Sequence, residues 1–182
     1  MNDGMTGLLV TDPVKGAHVL FSDPPDAYMY LLGSFTQGFI ADEFPELKAG
    51  EGYDFFPFPS LDPNFASSTT VGADMVVMLK DTAASRSLMK YLATGSVWEP
   101  WAMMGGYLSP NKSLSLDSYP NATSAAAARQ LASARVIRFD ADDLMPSSVQ
   151  RAFWLGLLSY LKDPLSLDTV LREIDSVAAQ AY

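Results

Sequence analysis

Two prolines frame the longest helical stretch of this chain and set its limits. Pro146 suits a first helical turn, where its missing N–H is not needed, and Pro164 stops the helix after Lys162. Within Leu144-Met145-Pro146-Ser147-Ser148-Val149-Gln150-Arg151-Ala152-Phe153-Trp154, a large aromatic pair follows two turns after the start. A loop that aims such a helix presents Trp154 as a flat apolar platform near an element end, a surface that suits the apolar faces of sugar rings. The competing reading places Phe153 and Trp154 in the core, where large aromatics mostly go.

Composition narrows the function classes. The 182 residues suffice for one domain or for two lobes sharing a hinge, and 48% hydrophobic content supports a packed core. A formal net charge of -9 and no cluster of Lys and Arg argue against nucleic acid as a partner. Cysteine is absent, which removes disulfides, thiol nucleophiles and cysteine-based metal sites together. The one histidine, His18, lies in the apolar run Gly16-Ala17-His18-Val19-Leu20-Phe21 and reads as structural. It cannot build a multi-histidine zinc site. No cofactor or metal is expected. No stretch approaches the ~20 apolar residues of a membrane span, and Met1-Asn2-Asp3-Gly4-Met5 lacks the basic and apolar segments of a signal peptide. Read alone, the chain looks soluble and unprocessed.

Residues 1–16 read as a flexible segment. Tyr28 to Leu32 and Asp74 to Leu79 read as buried strands, and Tyr53 to Pro59 as a β-prone aromatic run that its prolines end. Phe39 to Gly52 reads as a short helix or loop, and residues 60–70 as a loop. Asp81 or Thr82 caps a helix through about Ala93, with Leu88, Met89 and Leu92 on its inner face. Ser96 caps a second helix, Val97 to Met104, that ends at Gly105-Gly106. Thr123 to Ala134 is alanine-rich and helical, and Arg135 to Phe139 is weakly strand-like. After the helix from Pro146 to Lys162, Ser166 caps a last one whose Leu167, Val170, Leu171, Ile174, Val177, Ala178 and Ala181 form an apolar stripe. The order of elements suggests an α/β chain with a helix-rich C-terminal end.

Four segments, in order, carry a family pattern: Asp26 to Phe35; Tyr53-Asp54-Phe55-Phe56-Pro57-Phe58-Pro59; Val71 to Val77 with Leu88 to Trp101; and Leu144-Met145-Pro146 through Trp154. Over roughly residues 15–182 the chain resembles the C-terminal half of extracellular solute-binding proteins of family 1, the maltose-binding-protein-like receptors of sugar ABC importers. The resemblance implies the C-terminal portion of a two-lobe, periplasmic-binding-protein-like (type II) α/β fold that closes as a clamp. It assigns 17–56 and 110–182 to the C-terminal lobe and 57–109 to the other, with hinge crossings near 57–59 and 109–110. The first half of such a receptor, with its signal and lipid-anchor segment, is not represented.

On this resemblance the chain is a portion of a non-enzymatic receptor that captures a sugar, an oligosaccharide by preference, and delivers it to an ABC permease outside the cytoplasm. Phe35 and Trp154 would be stacking platforms. Gly72 and Ala73 would offer backbone N–H groups, and Asp74 a carboxylate that accepts two sugar hydroxyls. Tyr107, aimed by Gly105-Gly106, would add a phenol, or else be a core tyrosine after a helix cap. Trp98 and Trp101, three apart on one helix face, read as packing. A second function class is a glycoside hydrolase using Asp74 with Asp140, Asp142 and Asp143, and a third is an interaction domain with no small ligand. The acidic run lacks the glycine and terminal glutamate of a calcium loop. With part of the cleft absent, the surfaces left open would favour self-association or pairing with the complementary half.

Overall fold

Among the described residues, three of the α-helices begin at a side-chain cap, on Asp12, Thr82 and Asn121. The computed structural model describes residues 12–182, so most of the expected flexible segment lies outside the described residues. Its end, Pro13–Gly16, is a helical turn (α1) started by the Asp12 carboxylate, which accepts from Val14 N–H at 2.9 Å. A second turn follows at His18–Phe21 (α2), and α3 spans Thr36–Glu43. α4, Ala83–Leu92, has the expected cap at Thr82: Thr82 Oγ1 accepts from Ser85 N–H, and Ser85 Oγ accepts from Thr82 N–H. A 3-10 turn at Ser96–Trp98 takes the place of the first turn expected for the next helix, so α5 is shorter, Glu99–Met104. α6 covers Ala122–Ser133 under an Asn121 cap, α7 Ser147–Lys162 and α8 Leu167–Ala181. Ser166 does not cap α8 with its hydroxyl, which donates instead to the carbonyl of Asp163.

The β content differs from expectation. β1 is Ser68–Val71, all but its last residue in the stretch read as loop, and β2 is Val136–Phe139, within the stretch read as weakly strand-like; the two form a two-stranded sheet. Neither Tyr28 to Leu32 nor Asp74 to Leu79 is a strand, and neither is buried. A strand exists only when a neighbouring chain takes its backbone hydrogen bonds. Apolar, β-branched composition records a preference for such a neighbour without supplying one. Tyr53 keeps one isolated bridge, to Ala49. The result is a mostly helical α/β chain with a small open sheet.

The chain clusters into two units. Among described residues one comprises Thr70–Ala73 and Arg138–Tyr182, the other Asp12–Thr69 and Asp74–Ile137. The first is organised by α7 against α8. Gly156 of α7 faces Val170 and Ile174 of α8, and Val149 and Val170 are buried. The expected stripe on α8 divides: Val170 is buried, Ile174, Val177 and Ala178 are partly covered, and Leu171 is exposed.

The second unit has a core of Ala102, Tyr119 and Ala128, with Tyr107, Leu108, Leu114, Leu116 and Ala125 packed on it. The Tyr119 hydroxyl accepts from Ser109 N–H at 3.0 Å, which gives the buried phenol a polar partner. His18 is built into the same unit: its ring meets Phe44 edge-on at 4.9 Å and its Nε2 lies 3.2 Å from Glu43 Oε2. Among the described residues no helix is long and apolar enough to cross a membrane.

Candidate functional site

The start of α7 positions Trp154 by a short chain of bonds. The Pro146 carbonyl accepts from Val149 and Gln150 N–H at 2.9 and 3.0 Å, which closes the first turn. Side chains on a helix lean toward its N-terminus, and positions four apart share a face. Gln150 and Trp154 therefore both reach back to the acidic loop. Gln150 Nε2 donates to the Asp142 carbonyl at 3.1 Å, and Met145 N–H donates to the same oxygen at 3.1 Å. Trp154 Nε1 donates to Asp142 Oδ2 at 2.7 Å, a charge-assisted distance. The indole is thus fixed along its polar edge, yet its side chain stays 50% exposed.

The acidic run thereby has a different use from the acid pair or calcium loop weighed from sequence. The Asp142 carboxylate is the acceptor that orients an indole, and the Asp140 backbone carbonyl closes the turn by accepting Asp143 N–H at 3.1 Å. Among the described residues no group of three or more His, Cys, Asp or Glu side chains is placed to hold a metal ion. From sequence Asp142 was weighed only as a catalytic acid or calcium ligand, and Gln150 was given no role. The signal that would have found them is the spacing of Gln150 and Trp154 just downstream of an acidic turn.

Phe35 sits at the N-cap position of α3, half exposed. Its ring lies over Gly33, where a Cβ would come within 2.5 Å of it, and meets Phe39 at 5.6 Å. The first turn of α3 touches the turn after α5. A Cβ on Gly106 would lie 3.5 Å from the Gly38 Cα and 4.0 Å from the Phe35 carbonyl oxygen. Gly105 and Gly106 both have positive φ, 83° and 73°, a conformation that suits glycine.

Tyr107 follows that turn but joins an aromatic stack. It lies parallel to Trp101 (4.9 Å, 13°) and 5.9 Å from Trp98. Burial pushes its phenol above the ordinary value, the neighbouring Tyr119 adds to this, and a hydrogen bond with Ser109 opposes it. Trp98 is anchored by Nε1 donating to the Leu92 carbonyl at 2.7 Å. Trp101, read as packing, is half exposed with Tyr107 stacked on its ring. The structure thus brings the Phe35 backbone to the Gly106 turn while the Tyr107 ring packs with the two tryptophans.

Gly72, Ala73 and Asp74 follow β1 and are exposed. Space around Gly72 is open: a Cβ there would meet nothing within 4 Å. A cavity of about 170 Å³ lies at the first turn of α6, lined by Gln37, Gly38, Tyr53, Gly106, Asn121 and Ser124 among others. Its polar groups are partly engaged. Ser124 Oγ donates to Gln37 Oε1 at 3.0 Å; next in the chain but outside the cavity lining, Thr123 Oγ1 donates to Asp54 Oδ1 at 3.1 Å.

No family model matches the chain, and no solved structure matches it. Curated proteins do. The chain is 35% identical over 162 residues to the osmoprotective compounds-binding protein of Synechocystis sp. (87% of this chain, 37% of the relative). It is 33% identical over 172 residues to the alpha-glucosides-binding periplasmic protein of Rhizobium meliloti (92% of this chain, 37% of the relative). The chain thus spans 37% of the length of each of these relatives. It bears a distant resemblance to solute-binding proteins and corresponds to part of such a protein.

Proposed function

We propose that this chain is a ligand-contacting portion of a carbohydrate receptor serving an ABC importer outside the cytoplasm, with Trp154 as a stacking platform for a pyranose ring. The observation that carries the reading is an indole held by Asp142 along its N–H edge while half of the side chain faces solvent. A core tryptophan is covered, and a merely exposed one has no reason to be fixed. A ring fixed in advance loses little rotamer freedom when a sugar covers it. The alpha-glucosides in the name of the Rhizobium relative present apolar ring faces of that kind.

The resemblance assigns further contacts, each standing by itself. Phe35 offers a second half-exposed ring, and Tyr107 a phenol behind the Gly105-Gly106 turn. Gly72, Ala73 and Asp74 offer an open backbone and a carboxylate. In the whole receptor, ligand bridging both lobes would favour the closed state. The names of both relatives describe binding, not catalysis, which supports a receptor over the hydrolase reading.

The test is a titration of tryptophan emission with a panel of α-glucosides and small polyols, on the full-length polypeptide that carries this sequence. A saturable change that disappears in Trp154→Ala is expected. No response to any sugar, or an undiminished response in the variant, overturns the proposal.

A further inference from the structure

We infer that Gln150 is the positioning residue of the Trp154 platform: it holds Asp142 in place, and Asp142 holds the indole. What the platform binds rests on the carbohydrate reading; the positioning itself does not.

Gln150 takes hold of both ends of the segment 142–146. Its backbone N–H donates to the Pro146 carbonyl at 3.0 Å, and its side-chain Nε2 donates to the Asp142 carbonyl at 3.1 Å. The other donor to the Asp142 carbonyl, Met145 N–H, belongs to the segment itself and ties the turn only to its own chain. Gln150 is therefore what fixes the Asp142 main chain to α7. With that main chain fixed, the carboxylate keeps only its own side-chain torsions, and Oδ2 takes the Trp154 N–H at 2.7 Å. Gln150 and Trp154, four apart on one helix face, reach the same aspartate by its two ends.

The residue type fits this task. Gln150 and Asp142 are both partly covered, and an amide crosses between them as a neutral donor. A lysine or arginine at 150 would be drawn to the carboxylate and compete with the indole for it. A glutamate would set an acceptor against an acceptor. A side chain without a donor would leave the Asp142 carbonyl with the Met145 turn alone. The Gln150 bond adds no contact to a ligand; it reduces the ordering that the indole undergoes when a ligand covers it.

The experiment compares wild type with Gln150→Met in the full-length polypeptide that carries this sequence. Methionine is close to glutamine in length and helix propensity and donates nothing. Solvent exchange of the Trp154 indole N–H, read by NMR without ligand and assigned with Trp154→Phe, should quicken by about fivefold. The Trp98 indole, held by the Leu92 carbonyl, should not change, and neither should the amides of α8 or of α7 beyond its first turn. On an Asp142→Ala background, Gln150→Met should quicken the indole no further. Maltose, as the α-glucoside probe, should bind Gln150→Met about two- to fivefold more weakly. With Trp154→Ala already present, the same change should cost no affinity. Should Gln150→Met lose the protection of α8, Gln150→Glu, which keeps the shape and loses the donor, takes its place. An unchanged indole, quickening that persists on the Asp142→Ala background, equal quickening along the whole of α7, or undiminished maltose affinity in a protein whose wild type binds it overturns the proposal. A loosened indole in a protein that answers to no sugar would leave Gln150 its positioning role and remove the carbohydrate reading alone.

Discussion

Gly156 and Val170 lie so close that a Cβ built on the glycine would sit 2.7 Å from the Val170 Cγ1. The same Cβ would be 3.0 Å from Ile174 Cδ1. Val170 is β-branched and buried, so it has little freedom to turn aside. Overpacking such a contact costs about 1–3 kcal/mol, while Gly to Ala inside a helix contributes about 1 kcal/mol of propensity. The clash should win: Gly156→Ala is expected to lower the stability of the α7–α8 pair by about 1 kcal/mol. Gly156→Ala combined with Val170→Ala should recover part of the loss. Denaturant melts of the three proteins measure both effects.

Trp154 and Asp142 should behave as a coupled pair. Burying a large apolar side chain fully is worth about 1.5–3 kcal/mol, and half of this one is still open, so a sugar covering it would gain about 1 kcal/mol. Trp154→Ala is then expected to weaken binding by about fivefold. Asp142→Ala leaves the ring but frees it, and ordering a loose side chain costs about 0.5–1.5 kcal/mol. It should therefore weaken binding by a factor of about two to ten. In Trp154→Ala the Asp142 change should add nothing further, which titration calorimetry on the double variant decides.

The reciprocal cap of α4 gives a purely structural prediction. Thr82→Ala removes the acceptor for Ser85 N–H, at about 1 kcal/mol. Amide exchange in the first turn of α4 should quicken by about fivefold, since opening there is local. Thr82→Ser should exchange like the wild type.

Asp81 and Arg86 form a bidentate ion pair on an exposed surface. The Arg86 guanidinium holds the Asp81 carboxyl below its ordinary value, against a small opposing effect of burial. A depressed folded value means the contribution to stability is present above the unfolded value. It is lost as pH falls through the folded one. The pair is open to water, so the effect should shrink with added salt. Carboxyl chemical shifts followed through an acid titration should show Asp81 titrating late. In Arg86→Gln it should return to the usual aspartate range.

The helices were legible because their signals are local. Thr82 caps where its side chain reaches the next turn, Gly105-Gly106 ends α5, and Pro146 opens α7, each decided within a few residues. The strands were legible only in part: Val136–Phe139 falls in the stretch read as weakly strand-like, whereas Ser68–Val71 was not expected. Met75 to Leu79 has strand composition, but pairing depends on a neighbour that these residues do not encode. The site was legible in part for the same reason. Trp154 shows itself as an aromatic near a helix start. The lock by Asp142 needs the acidic loop to fold back onto α7, which residue type alone does not announce.

The opening turn of α6 holds two partners from far away in the chain: Gln37 meets Ser124 and Asp54 meets Thr123, across 87 and 69 positions. Bonds of such span close only after the intervening polypeptide has found its place, since each must first offset the entropy of a long loop. Late gain of exchange protection at those two hydroxyl-bearing residues during refolding would therefore mark the last stage of assembly, making the quiet foot of one helix a clock for the maturation of everything between.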